Sequence, residues 1–211
     1  MSEQKAGKTS RGFGGMLKLG LILAVYSAAA CVGLAFVYAG TAKRIDENKE
    51  HEQTAALNEL FPDAESFEAI RNLPGPDPDL RVSFEADGAF AALKNGAPIG
   101  VALRTSRASY GGPIKVLVGV GADNKICGVK ILEHTDTPGL GANAASPTYF
   151  VDRASGKTFY GQFTGKSVNE SFEVKRDVEA ITAATITSRA VAASVKAAGE
   201  AASAWLAGGS R

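Results

Sequence analysis

Cysteine and histidine are scarce in this sequence, two of each among 211 residues. Cys31 and Cys127 cannot build a disulfide framework. His51 and His134 lie far apart, so the pattern gives no zinc spacing and no metal site is expected. A surplus of either charge is also missing, with 23 basic against 22 acidic residues. Nucleic-acid binding draws on excess Lys and Arg to displace counterions from phosphates, so no nucleic-acid partner is expected. No acid–base pair or nucleophilic triad stands out, and no catalytic residue is assigned. Hydrophobic residues at 45% and charged residues at 21% are globular values, which excludes wholesale disorder and a polytopic membrane protein.

Charge is absent from one long stretch, Leu19 to Ala42. At about 1.5 Å per helical residue this run reaches roughly 36 Å, enough to cross a hydrocarbon core of about 30 Å. Tyr38 falls where an interfacial aromatic would sit. A cleaved signal peptide has a shorter apolar region. A lipoprotein signal ending at Cys31 would be followed by a polar tether, whereas Val32 to Ala39 stays apolar. A retained anchor over residues 16–42 is therefore expected. Lys5, Lys8, Arg11 and Lys18 precede the span and Lys43, Arg44 and Lys49 follow it. The positive-inside rule favours a cytoplasmic N-terminus by that margin, with the rest of the chain outside the cytoplasm.

Residues 1–15 read as a polar, Gly-rich cytoplasmic tail. Thr41 to Phe61 carries helix formers without breakers and reads as a stalk that Pro62 stops; Leu73-Pro74-Gly75-Pro76-Asp77-Pro78 reads as a linker. Residues 43–79 are thus expected to precede the folded domain, which would occupy 80–211. There the texture turns to strands. Val82–Ala86 meets Asp87-Gly88, and Phe90–Lys94 meets Asn95-Gly96, both preferred hairpin dipeptides. Further strands are expected at Gly100–Thr105, Ile114–Val120, Ile126–Leu132 and Phe172–Lys175. Residues 189–206 form an Ala-rich helix with Val191, Val195, Ala198, Ala202 and Trp205 on one face. The fold class is α+β, a mainly antiparallel sheet with a C-terminal helix.

Two segments carry candidate chemistry. In His134-Thr135-Asp136-Thr137-Pro138-Gly139-Leu140-Gly141, Pro138 fixes φ and Gly139 permits a positive one, so the chain turns tightly and presents Leu140 on a loop. This is either a plain turn with one half-buried leucine or a backbone cradle for a planar ligand. In Thr182-Ala183-Ala184-Thr185-Ile186-Thr187-Ser188, four hydroxyls crowd a helix entrance. Ordinary N-capping needs one of them. A helix N-terminus with unpaired N–H groups also suits a phosphate, and Ala183 and Ala184 leave room for a close approach.

Together, Asp136-Thr137-Pro138-Gly139-Leu140-Gly141 and Thr182-Ala183-Ala184-Thr185-Ile186-Thr187-Ser188 resemble the FMN-binding domain shared by the RnfG component of the Rnf electron-transport complex and the NqrC component of the sodium-pumping NADH:quinone reductase. The single N-terminal span and the order of the motifs are similar too, and the length favours the Rnf component. The resemblance implies covalent FMN, joined through its phosphate to the threonine ending a motif written D-x-x-[S/T]-G-A-T, here Thr185. Glu179 stands where that motif has Asp, Ala183 where it has Gly, and Asp136 replaces the Glu usual in the first segment. On this resemblance the N–H groups of Ile186, Thr187 or Ser188 would face the phosphate, with Thr182 capping the turn. Leu140 and the Pro138-Gly139 turn would pack on the isoalloxazine, and Asp136, Thr137 and Gly141 would be cofactor-binding with them. Lys166 could lie near the flavin or phosphate, and Tyr110, before Gly111-Gly112, could line the site.

The implied protein is a single-pass component in the bacterial cytoplasmic membrane, with its flavin domain on the extracytoplasmic side. It would relay electrons within an ion-translocating oxidoreductase beside other membrane and redox subunits, with no independent catalysis. A separate flavin transferase of the ApbE type, using FAD and Mg²⁺, would install the cofactor. Two alternatives stay open on the sequence. One keeps the flavin in the reductase component or a stand-alone carrier; the other is a non-redox, membrane-anchored scaffold.

Overall fold

The computed structural model describes residues 9–208. The chain divides into two compact units, Met1–Glu52 and Gln53–Arg211. Helix α1 (Thr9–Leu60) begins in the first unit and ends in the second. In the first unit its apolar side chains, Met16 through Tyr38, are exposed. This is the one helix among the described residues long and apolar enough to cross a membrane. The expected tail 1–15 is helical from Thr9 onward, and its first eight residues lie outside the described residues.

The second unit is an antiparallel meander of five strands in the order β1-β2-β3-β4-β5. They are β1 (Ser66–Ala69), β2 (Ser83–Lys94), β3 (Ala97–Ala108), β4 (Pro113–Gly121) and β5 (Ile126–Glu133). Helix α2 (Thr185–Ala207) covers one face. Val191, Val195, Ala198 and Ala202 of α2 belong to the same buried core as Val101, Leu103, Val116 and Val118 of the sheet. The last turns of α1 cover the other face, where Ala56, Leu57 and Phe61 join Ala92, Ala102 and Leu117. Burial on both faces explains why β4 is apolar almost without alternation. A small hairpin, β6 (Phe150–Asp152) with β7 (Lys157–Thr158), lies outside this sheet.

Five sequence expectations need correction. The folded unit starts well before Leu80, because β1 pairs with β2 and the end of α1 packs on the sheet. The packing is close: a Cβ on Gly100 would overlap the Phe61 ring. Lys130 of β5 also pairs with Glu59 of α1.

Asp87-Gly88 makes no hairpin. Neither residue has positive φ, which a type I′ turn requires at both central positions. Instead β2 bulges between Phe84 and Ala89 and resumes pairing with the same neighbour, β3. Arg104 of β3 fastens the bulge, through Glu85 at 3.3 Å and the Asp87 carbonyl at 3.3 Å. Asn95-Gly96 does turn a hairpin, at φ 52° and 73°.

Phe172–Lys175 is an irregular loop rather than a strand. Phe172 and Lys175 have φ 49° and 77°, and the Asp177 carboxylate accepts from the backbone N–H groups of Phe172 and Glu173 at 2.8 and 2.5 Å. Helix α2 begins at Thr185, four residues before the expected start. Thr-Ile-Thr is a poor helix-forming run, and burial of Thr187 and Ser188 overrides that preference. Finally, the Pro-rich segment contains a short 3₁₀ turn, Pro78–Leu80, N-capped by the Asp77 carboxylate, which accepts from the Asp79 N–H at 2.9 Å.

Candidate functional site

The antiparallel order brings three loops to one end of the sheet. They are the β3–β4 turn, the segment after β5, and the chain entering α2. Thr137-Pro138-Gly139-Leu140 folds as the sequence implies, with Gly139 at φ 78° and the Leu140 N–H donating to the Thr137 carbonyl at 3.1 Å. A 3₁₀ turn, Gly141–Ala145, follows. Gly141 lies against α2: a Cβ there would stand 2.6 Å from Thr187 Oγ1 and 2.8 Å from Asp136 Cβ. Only glycine allows the two motifs to come this close.

Asp136 joins the three loops. One of its oxygens accepts from Ser109 Oγ at 2.6 Å, the other from the Gly111 N–H at 2.6 Å. Ser109 Oγ also lies 3.2 Å from Thr187 Oγ1. With the Ser109 proton on the carboxylate, the single Thr187 hydroxyl proton is shared between Ser109 Oγ and the Asp136 carboxylate. Asp136 is 5% exposed. Burial raises its pKa, but the hydrogen bonds from Ser109, Gly111 and Thr187, and the nearby His134, hold it below its ordinary value. It is a fixed anion that accepts hydrogen bonds in its network. Ser109, which nothing in the sequence pattern singled out, completes this network; its one signal was its place before Tyr110-Gly111-Gly112.

The cleft between these loops encloses about 560 Å³, within the usual size of small-molecule sites. Thr185, Ala183 and Ala184 form one wall, and Asp136, Thr137 and Gly141 line the other. Tyr110, Leu140 and Ile186, 73%, 42% and 54% exposed, supply its apolar surface. Ala184 is the N-cap residue and offers no side-chain bond. The first helical bond is donated by the Ser188 N–H to Ala184 O at 3.0 Å. The N–H groups of Thr185, Ile186 and Thr187 therefore have no intrahelical acceptor, as at any helix start. The Thr185 hydroxyl is half-buried and makes no hydrogen bond to another described residue.

Other expected site residues are placed differently. Thr182 is exposed, lies outside the cleft lining and does not cap the helix. Ser188 turns inward: its Oγ accepts from the Ile181 N–H and donates to the Ala184 carbonyl, both at 3.0 Å. Gly139 shapes the turn without lining the cleft; its carbonyl accepts from Asn143 Nδ2 at 2.9 Å. Lys166 is not at the site. Its carbonyl accepts from the Ile126 N–H at the start of β5, and its ammonium pairs with Glu170 at 2.5 Å. Asp136 follows the far end of that strand, some 26 Å away at about 3.3 Å per residue. Ala183 has φ 59°, a conformation that favours glycine.

The sequence relatives agree on one family. A family profile described as FMN-binding domain matches residues 109–200, and one described as RnfG N-terminal region matches residues 15–60. The G subunit of the Na(+)-translocating ferredoxin:NAD(+) oxidoreductase complex of Acetobacterium woodii is 36% identical over 196 residues, covering 85% of this chain and 88% of that protein. The G subunits of the ion-translocating oxidoreductase complexes of Aliivibrio fischeri and Vibrio cholerae are 32% and 30% identical, over 86% and 85% of this chain and 87% and 86% of their own. The crystal structure of Shewanella oneidensis NqrC aligns with 65% of this chain and 66% of its own, at 21% identity and a TM-score of 0.44.

Proposed function

Since the chain belongs to the RnfG family, the G subunits of ion-translocating oxidoreductase complexes, we propose that its cleft holds FMN, bonded through its phosphate to Thr185. We propose also that the domain relays electrons between redox centres of such a complex. FMN supplies the electron-accepting and electron-donating chemistry when bound, and the protein sets its orientation and surroundings.

The residues fit that group. The observation that carries the reading is the Thr185 hydroxyl, without a hydrogen-bond partner among the described residues, at a helix start that also lines an apolar cleft. The helix N-terminus favours the negative charge that a phosphodiester retains. Leu140, Tyr110 and Ile186 offer apolar surface to a planar ring system, and their exposure is otherwise costly. Thr187 and Ser188, 1% and 0% exposed, spend their hydroxyls within the protein. Thr182 lies outside the cleft, which leaves Thr185 as the acceptor of choice in the motif.

In this reading α1 anchors the chain in the bilayer and the folded unit works on the extracytoplasmic side, where a tethered flavin cannot be diluted away. Partners are the other membrane and redox subunits and, during maturation, an ApbE-type flavin transferase. The test is intact mass and peptide mapping of protein from a host with that transferase. One FMN less one water on the peptide containing Thr185 is expected, retained in Thr185→Ser and lost in Thr185→Val. Unmodified protein, or flavin on another residue, overturns the proposal.

A further inference from the structure

A second cavity, about 450 Å³, opens between the Pro78–Leu80 turn, the end of β3, the 171–174 loop and α2. Arg107, Arg189 and Lys196 line it. Arg81 adds a further positive charge close enough to Arg107 to lower its pKa, after the larger effect of burial. Among the described residues no carboxylate forms an ion pair with any of these four. Arg107 instead donates to the Arg189 carbonyl at 3.1 Å, which fixes its guanidinium at the cavity wall. Glu173 is the one carboxylate in the lining, and it is engaged by Arg176 at 3.3 Å. Leu80 and Val174 add half-buried apolar surface to the same lining, with the buried Phe172 beneath.

Glu173 is shared with Arg176, so these four cations outnumber the carboxylate beside them, and an added anion would relieve their mutual repulsion. We propose that this cavity docks an acidic segment of a partner protein, with carboxylates on Arg107, Arg189 and Lys196 and an apolar side chain on Leu80 and Val174. A peptide segment suits a cavity that is both cationic and partly apolar better than a free phosphate, which has nothing to place on Leu80 or Val174. The site also lies beside the cleft. Arg189 is one helical turn past Thr185, about 6 Å along the axis. An acidic partner held there would stand next to the proposed flavin. The kind of partner rests on the electron-transfer reading; the binding itself does not.

The test uses the full chain in a neutral detergent and a dye-labelled acidic peptide of alternating Glu and Leu, followed by fluorescence anisotropy. Binding is expected to weaken as salt rises from about 50 to 300 mM, which shortens the screening length. It should fall about tenfold or more in Arg107→Gln/Arg189→Gln/Lys196→Gln. It should be unchanged in Lys125→Gln/Lys157→Gln, which removes exposed cations elsewhere. If the triple variant fails to fold by circular dichroism, Arg189→Glu alone, at an exposed position, must give the same loss. Equal peptide binding by these variants overturns the proposal. So does retention of the chain by anionic vesicles with no peptide binding, or complete displacement of the peptide by millimolar inorganic phosphate. Flavin content, measured by absorbance on the same samples, reports separately on Thr185; loss of flavin with peptide binding intact would refute the earlier proposal and leave this one standing.

Discussion

Ser109 donates its hydroxyl proton to Asp136 across 2.6 Å, joining the β3–β4 turn to the loop after β5. Through Thr187 the same network reaches α2. Three loops distant in sequence are held by one buried carboxylate, and the geometry of the cleft depends on it.

Asp136→Asn keeps the shape and removes the charge, and its amide would point a donor at Ser109 or at the Gly111 N–H. A loss of about 1.5–3 kcal/mol is expected in urea unfolding at neutral pH. The pH dependence has a definite sign. The folded-state pKa of Asp136 lies below its ordinary 3.8, so its contribution is complete above that value and disappears as pH falls through the lower, folded one. Asp177, also lowered against the effect of burial by its backbone bonds to Glu173 and Phe172, adds to the same acid limb. Melts between neutral pH and pH about 3 should show a shallower acid loss in Asp136→Asn than in the parent.

Ala183 holds φ 59° beside Thr185. An L side chain in this region costs about 1–2 kcal/mol, and glycine returns part of that gain as unfolded-state entropy. Ala183→Gly is expected to stabilise the fold by up to about 1 kcal/mol, read as a higher Tm. A lower Tm would mean that the Ala183 methyl makes contacts worth more than the strain.

Ser188 and Thr182 both carry hydroxyls in the second motif, with opposite consequences. Ser188→Ala leaves the buried Ile181 N–H without its acceptor and should cost about 1–3 kcal/mol. Thr182 is exposed, and Thr182→Val should change stability by less than about 0.5 kcal/mol. Chemical denaturation of the two variants, side by side, checks the contrast.

Phe61 closes the outer face of the sheet, 4% exposed and against Gly100. Phe61→Ala should cost about 3–5 kcal/mol. Hydrogen exchange should show β3 and β4 opening more readily in that variant, since their outer side chains lose the cover that α1 gives them. An effect confined to α1 would contradict the packing described above.

Elements whose causes are local are legible in the chain alone. A long uncharged run can only be an apolar helix, Asn95-Gly96 turns a hairpin through its own φ preferences, and Thr-Pro-Gly turns where Pro138 and Gly139 stand. The two motifs also identify most of the cleft lining, because glycines and hydroxyls at those spacings have few other uses. Packing settles the rest. Asp87-Gly88 bulges instead of turning because the apolar residues beyond it pair with β3 again. Residues 53–69 join the fold because Phe61 finds a sheet face without a side chain at Gly100, a partner some forty positions further along. Ser188 and Thr187 face inward while the Thr185 hydroxyl has no hydrogen-bond partner among the described residues, since rotation about the helix axis is set by what α2 buries. Lys166 leaves the site because β5 separates it from Asp136. Local preference shapes a turn or a helix; which side chains meet is settled by burial and by hydrogen bonds between segments that no window of sequence contains.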